Sequence, residues 1–188
     1  MGVHMKSATY GTSKKASLEG ELPVLRMGNL SYEGQLSLDD LKYVELDEKE
    51  FEKHTVTSGD VLFNRTNSAD LVGKTVVYRR ETPMAYAGYL VRLRTEPTLH
   101  PEYLGAFMNL PYTKQTLRNM CKSIVGMANI NAREVQKIKL PIPSIEEQEE
   151  FAKQRLVVET RRSHLENNIH LLDDLFASLQ QRAFRGEL

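Results

Sequence analysis

Residues 141–186 read PIPSIEEQEEFAKQRLVVETRRSHLENNIHLLDDLFASLQQRAFRG, and this stretch decides the architecture of the chain. Two prolines end the segment before it, and neither proline nor glycine recurs until Gly186. Ser144 and Glu147 form an S-x-x-E capping box, in which each side chain satisfies a free N–H group of the first helical turn. Gly186 suits the position just after a helix. We therefore predict a single long helix over residues 144–186.

Residues of this helix recur at intervals of seven in a pattern typical of a coiled-coil seam. The two interleaved series are Phe151, Val158, Leu165, Leu172 and Leu179, and Arg155, Arg162, Ile169, Phe176 and Ala183. A helix of this length spans about 60 Å, and the chain offers no second helix of comparable length. One alternative is a helix folded back over its own domain. The pattern favours a projecting helix whose partner is a second copy or a different protein.

Length and composition indicate one soluble domain with an extension. The chain has 188 residues, of which 40% are hydrophobic and 27% charged, as in ordinary globular proteins. A single cysteine, Cys121, excludes an internal disulfide and suits a reducing cytoplasm. The sequence has neither a signal peptide nor an apolar run of membrane-spanning length, so we expect a cytoplasmic protein without a membrane partner.

The formal net charge is zero, but the charges are unevenly distributed. Residues 59–140 hold 12 basic and 6 acidic side chains, whereas residues 1–58 hold 7 and 10, and residues 141–188 hold 6 and 9. A basic middle between acidic ends is typical of a polyanion-binding domain attached to an element that does not bind the polyanion.

The segments before the long helix predict an α+β domain over residues 6–143. Residues 6–20 are predicted as an exposed loop, and residues 47–53 as a charged surface run. Predicted strands cover residues 22–27, 61–63, 75–78, 84–94 and 138–142. Helices are expected from Pro101, from Thr113 to about Ile124, and over residues 132–137, with loops at residues 64–74 and 126–131.

No catalytic or cofactor motif is present. Gly73, Lys74 and Thr75 match the end of a phosphate-binding loop, but the required first glycine is replaced by Ser68. The five histidines lack the spacing of a metal site. Cys121 would share a helix face with Leu117 and Ile124, which indicates a buried structural thiol. We therefore expect no cofactor, no metal and no enzymatic activity.

Five blocks of sequence resemble the DNA-specificity (S) subunits of type I restriction–modification systems. They are residues 10–16 (YGTSKKA), 22–30 (LPVLRMGNL), 59–68 (GDVLFNRTNS), 71–75 (LVGKT) and 140–148 (LPIPSIEEQ). The blocks occur in the family's order over nearly the whole chain. The resemblance implies a target recognition domain, here a mixed α/β domain, followed by a conserved coiled-coil helix.

A full-length S subunit contains two target recognition domains and two helices, so this chain resembles a half-subunit. Two copies would then pack their helices antiparallel through Val158, Leu165, Ile169, Leu172, Phe176, Leu179 and Ala183, forming a homodimer by twofold symmetry. Identical halves imply a palindromic bipartite target. A rod of about 60 Å corresponds to roughly 18 base pairs of double-stranded DNA.

Polar residues between the predicted strands are the candidates for DNA contact. Asparagine pairs with adenine and arginine with guanine through two hydrogen bonds, which favours Arg65, Asn67 and Asn129 for base contacts. The remaining candidates are Thr66, Ser68 and Asn131, with Lys14, Lys15 and Lys74 on phosphates. One alternative is that residues 64–68 form a fixed turn whose side chains cap its own backbone. Another is that Lys14 and Lys15 lie in a solvated loop.

In this family catalysis belongs to the methylation (modification) and restriction subunits, and the resemblance implies that this chain only positions them. Two alternatives remain at the level of sequence. One is an autonomous dimeric DNA-binding regulator, and the other is a coiled-coil assembly protein that binds other proteins.

Overall fold

The computed structural model describes residues 1–68, 71–124 and 127–187. Its strands are β1 (Met5–Tyr10), β2 (Leu22–Leu25), β3 (Lys42–Val44), β4 (Thr55–Val56), β5 (Val61–Asn64), β6 (Thr66–Asn67), β7 (Thr75–Val77), β8 (Met84–Tyr86), β9 (Leu90–Thr95), β10 (Lys122–Ile124) and β11 (Met127–Asn129). Its α-helices are α1 (Glu48–His54), α2 (Pro101–Met108), α3 (Pro111–Met120), α4 (Ala132–Gln136) and α5 (Ile145–Phe184), and two 3₁₀ turns cover Gly2–His4 and Met27–Asn29. The chain divides into two compact units, Met1–Gln148 and Glu149–Leu188.

The first unit contains three sheets. The strand orders are β1-β9-β5-β7, β3-β2-β8-β4 and β10-β11-β6. All pairs are antiparallel except β2 with β8. This arrangement confirms the predicted α+β class.

Strand β5 is buried on both faces, which explains its continuous apolar sequence. Val61 and Phe63 join one core cluster together with Leu104 of α2 and Leu117 of α3. Leu62, on the opposite face, joins a second cluster. Because alternate residues of a strand face opposite sides, the two cores lie on either side of this sheet.

Several local predictions are corrected by the structure, including the loop expected over residues 64–74, within which Thr66–Asn67 forms β6. Residues 5–10 form an edge strand rather than a loop, since β1 pairs along β9. Residues 48–54 form a helix, because Asp47 and Glu50 make a capping box. The helix expected to reach Ile124 ends at Met120, and Lys122–Ile124 instead pairs with Met127–Asn129, which was expected to be loop. Residues 138–142 form no strand.

The long helix is confirmed, and its two ends have the predicted caps. Glu147 N donates to Ser144 Oγ over 3.3 Å, and Ser144 N donates to Glu147 Oε2 over 2.9 Å. At the other end Gly186 has a φ of 72°. Glu187 N donates to Arg182 O (2.9 Å) and Gly186 N to Ala183 O (3.1 Å), which together form a Schellman motif.

Gln148, the last residue of the first unit, ties the start of α5 to the loop before α2. Its side chain is fully buried. The amide Nε2 donates to Thr98 O (3.2 Å) and Pro143 O (3.0 Å), and Oε1 accepts from His100 N (2.9 Å). A single amide therefore satisfies three backbone groups.

Replacing Gln148 by leucine is expected to lower the free energy of unfolding by about 2 kcal/mol, because buried backbone groups lose their partners. Urea denaturation measures this change. The matched control is Gln154→Leu on the exposed surface of the same helix, where the effect should stay within about 0.5 kcal/mol. Equal effects of the two substitutions would contradict the assignment of Gln148 as an anchor.

Candidate nucleic-acid interface

The small sheet β10-β11-β6 brings two predicted segments together. Thr66 is paired with Asn129, and Asn67 with Ala128. The Thr66 hydroxyl lies 3.4 Å from Asn129 Oδ1. Asn129 is exposed, and so is Ser68, which follows Asn67 in the sequence. Residues more than 60 positions apart in sequence thus share one polar surface.

Arg65 lies at the corner between β5 and β6 and is held at its backbone from both sides. Its N–H donates to Tyr89 O (3.0 Å), and its carbonyl accepts from Ile130 N (2.9 Å). The guanidinium stacks over the ring of Tyr10 at 4.8 Å. Its Nε is buried and makes no hydrogen bond within the described residues. Buried polar atoms are normally paired, so the guanidinium is oriented by stacking while one donor is left unused.

Tyr10 is a site residue that the sequence analysis missed. Its hydroxyl accepts a hydrogen bond from Ala132 N (3.1 Å), so one aromatic side chain connects the end of β1, Arg65 and the start of α4. The available signal was an aromatic residue immediately before the basic segment that contains Lys14 and Lys15. Such a residue can support an arginine by cation–π stacking.

The alternative of a self-capped turn is correct for two side chains of residues 64–68. Asn64 is fully buried, and its Oδ1 accepts from Thr66 N (3.3 Å). Asn67 Oδ1 accepts from Ser68 N (2.9 Å). These bonds fix the backbone of the segment. They also occupy one acceptor of Asn67, which leaves its amide donors as the groups with which it would read a base.

Asn131 has a structural role at the start of α4. Its side-chain oxygen accepts from Arg133 N and Glu134 N, each over 2.9 Å, while Asn131 N donates to Glu134 Oε2 (2.9 Å). This reciprocal capping box is sufficient to explain an asparagine at this position.

The three candidate lysines have different surroundings. Lys14 forms an ion pair with Glu50 and donates to Glu45 O (3.0 Å). The ion pair lowers the pKa of Glu50, assisted by the hydrogen bond from Asp47 N. Lys15 is exposed. Among the three, Lys14 must therefore exchange an existing partner before it binds a phosphate, whereas Lys15 need not.

Several basic side chains of residues 59–140 make contacts inside the domain and are therefore less available to bind a ligand at the surface. Arg94 makes a bidentate pair with the buried Asp60 (2.7 and 3.1 Å). Arg79 does the same with Glu102, its Nη2 lying 2.7 Å from Oε2. Arg92 is buried over the ring of Tyr86 at 5.5 Å. The basic surplus seen in the sequence therefore overstates the charge available to a polyanion.

Lys114 anchors the backbone at Gly73, shortly before the start of β7. It is 5% exposed, its Nζ donates to Gly73 O over 2.7 Å, and it lies 4.5 Å from the centre of the Tyr32 ring. Burial lowers its pKa to about 8; Glu33 opposes this shift, while Lys74 and Arg118 add to it. The ammonium is thus disfavoured in the folded state relative to the unfolded chain.

We expect this anchor to make stability depend on pH. Between pH 8 and 10.5 the unfolded state binds more protons than the folded state, so the free energy of unfolding should rise with pH, by roughly 3 kcal/mol over the full range and about 2 kcal/mol by pH 9.5. Urea denaturation at pH 7 and pH 9.5 measures the gain. The Lys114→Met variant should lack it, and an equal gain in that variant would contradict the expectation.

Among the described residues, no helix is both long and apolar enough to cross a membrane. Within the same residues, no group of three or more histidine, cysteine or acidic side chains is placed to bind a metal ion.

Known proteins similar in sequence to this chain include specificity subunits of type I restriction enzymes. Residues 4–169 match the family model described as the type I restriction modification DNA specificity domain. The EcoKI specificity subunit of Escherichia coli K12 is 26% identical over 173 residues, covering 88% of this chain and 37% of the relative. The StySPI specificity subunit of Salmonella potsdam is 25% identical over 196 residues, covering 100% and 42%.

The fold of this chain is also similar to that of a solved structure. The HsdS subunit from Thermoanaerobacter tengcongensis superposes with a TM-score of 0.61 at 20% identity, covering 100% of this chain and 44% of that one. The chain thus spans less than half the length of each of these proteins. Given the match over residues 4–169, the chain belongs to the type I restriction modification DNA specificity domain family.

Proposed function

We propose that this chain is a non-catalytic, sequence-specific DNA-recognition subunit of a type I restriction–modification enzyme and acts in the cytoplasm. The observation that carries the proposal is the convergence of Thr66, Asn67 and Asn129 on one small sheet, beside a stacked Arg65. The proposal assigns the domain of residues 6–143 to DNA and the helix of residues 144–186 to assembly.

Each polar residue has a role that follows from its chemistry. Arg65 would donate two hydrogen bonds to a guanine, because its plane is already set by Tyr10. Asn129 and Asn67 would contact adenine, and Thr66 and Ser68 adjacent base edges or phosphates. Lys15 and Lys74 would bind phosphates, as would Lys14 after releasing Glu50. Asn131 would orient the start of α4 through its cap, and its side-chain amide would donate to the DNA with any N–H that the cap leaves unused.

The long helix supports the dimer part of the proposal. The apolar residues of the second half of its seam are exposed within a single chain: Leu165, Ile169, Leu172, Phe176 and Leu179 are between 39% and 63% exposed. The two arginines of the first half pair along their own helix, Arg155 with Glu159 and Arg162 with Glu166, each over 2.8 Å. A second copy packed antiparallel would cover the apolar part.

Two recognition domains held by such a pair would read two half-sites separated by DNA that neither contacts. Because the halves are identical, the target would be palindromic. The complete assembly would place methylation and restriction subunits on this DNA, consistent with the family to which the chain belongs.

The test is selection of bound duplexes from a random pool, with the chain alone and with its methylation subunits. The expected product is two short inverted half-sites at a constant spacing. Enrichment of a single uninterrupted site would contradict the dimeric arrangement. No enrichment with either sample would contradict sequence recognition.

A further inference from the structure

A second basic cluster lies outside the predicted recognition residues and is built around the ring of Tyr32. Lys114 lies 4.5 Å and Arg118 5.9 Å from the ring centre. Arg118 Nη2 also donates to the Tyr32 hydroxyl over 3.2 Å. One aromatic residue thus holds two cations from successive turns of α3.

The cluster borders an open cavity of about 360 Å³. Lys114 and Arg118 line it together with Gln115, Asn109 and Pro111, the first residue of α3. Arg118 lies in the last turn of the same helix, where a cation is favoured by the helix dipole. Glu33 also lines the cavity and is the acidic residue of this group.

Positive charge exceeds negative charge at this place. Lys74 and Arg118 both act electrostatically on Lys114, and Glu33 opposes them. Lys114 and Arg118 lie against the same ring and repel each other, and an anion bound beside them would reduce that repulsion. Arg118 is exposed and Lys74 half-buried, so both are accessible to a ligand, whereas Lys114 is enclosed and supports the ring.

The position of the cluster indicates which anion it would bind. Lys74 O accepts a hydrogen bond from Asn64 N (2.8 Å), next to Arg65, and Gly73 O accepts one from Lys114. Arg118 lies four residues before β10, the outer strand of the small sheet. Both cations are therefore connected directly to the elements assigned above to base contact, where a DNA backbone would pass.

We propose that Arg118, oriented by Tyr32, binds a phosphate of the DNA backbone in addition to the phosphate already assigned to Lys74, and so sets the position of the duplex on the small sheet. This inference rests on the proposed function and adds to it a phosphate site that carries no sequence information itself. Tyr32 is a positioning residue, because it orients Arg118 without reaching the phosphate.

The experiment measures binding of the full chain to a fluorescent duplex of mixed sequence at salt concentrations between about 50 and 200 mM. Arg118→Gln should reduce the slope of log affinity against log salt by about one, and Arg118→Lys should retain the slope. Tyr32→Leu should weaken binding several-fold while the positive charge is unchanged. Arg80→Gln, which removes another exposed arginine of the basic segment, is the matched control and should leave the slope unaltered.

The outcomes separate this inference from the proposed function. If the unaltered chain shows salt-dependent binding and Arg118→Gln leaves the slope unchanged, the phosphate site is wrong and DNA recognition stands. An equal loss of slope in Arg80→Gln would also overturn the site, because net charge alone would then explain the effect. If the unaltered chain, with or without methylation subunits, binds no duplex, the proposed function itself fails.

Discussion

Replacing both Leu172 and Leu179 by glutamate is expected to convert the proposed dimer of this protein into monomers. Both leucines are exposed within a single chain, at 63% and 39%, and the proposed dimer buries them. Burial of a leucine side chain is worth about 1.5–3 kcal/mol, and twofold symmetry places four of these leucines in each interface. Their loss therefore amounts to at least about 6 kcal/mol, or roughly a 10⁴-fold weaker association. Four carboxylates at the interface weaken it further.

The alignment of the two helices follows from the same seam. When Leu172 of one copy faces Phe176 of the other, Ile169 faces Leu179 and Leu165 faces Ala183. Every layer is then apolar, as antiparallel coiled coils prefer. This alignment leaves Arg155, Val158 and Arg162 outside the interface, so Val158 is no longer part of the proposed contact, and the two arginines keep their pairs with Glu159 and Glu166.

Light scattering at micromolar concentration measures the change in mass. The matched control is Leu171→Glu, which alters an equally exposed leucine (66%) one position away from the seam and should leave the dimer intact. Dissociation by Leu171→Glu would indicate a different contact face. A monomeric unaltered chain at the same concentration would contradict the homodimer.

The long helix could be predicted from sequence because all of its signals are local. The capping box of Ser144 and Glu147 and the glycine at position 186 act within one turn of the helix, and the structure contains both ends as expected. The same kind of signal was overlooked at Asp47 and Glu50, where a capping box inside a charged run starts α1. The local sequence encodes this helix, but the high content of charged residues indicated only a surface run.

The small sheet was not predicted, because one of its pairings opposes a local helical pattern and the other joins segments about 60 residues apart. Leu117, Cys121 and Ile124 have helical spacing, so the sequence favoured continuation of α3. Pairing of Lys122–Ile124 with Met127–Asn129 overrides that preference, since strand propensity depends on the neighbours a strand finds. Neither segment taken alone contains a sequence signal that Thr66 pairs with Asn129.

The candidate site likewise has some features that the sequence indicates and others that only the fold reveals. Residue type correctly indicated Arg65 as a cation in a polar loop, but its platform Tyr10 and its unused Nε are known only from the fold. Charge counting included Arg92 and Arg94, which are occupied inside the domain by Tyr86 and Asp60. A sequence gives the sign of a charge, whereas its partner depends on tertiary structure.

Replacing Arg65 by alanine is expected to abolish discrimination at one base pair of each half-site. A bidentate arginine–guanine contact contributes about 1–3 kcal/mol of discrimination, and a dimer makes two such contacts. The combined loss is about 4 kcal/mol, or on the order of 10³-fold in affinity for the selected palindrome. Affinity for unrelated duplexes should change much less. Arg65→Lys should fail as well, because an ammonium cannot make the planar bidentate contact or the same stacking on Tyr10.

The control is Lys15→Ala, assigned to a phosphate. It should weaken binding to all duplexes by a similar factor and reduce the salt slope by about one, with unchanged base preference. Competition titrations with single-base variants of the selected site measure both effects. A uniform loss of affinity in Arg65→Ala, without any change of preference, would assign Arg65 to the backbone. Its stacking on Tyr10 would then orient a phosphate contact, and base readout would fall to Asn67 and Asn129.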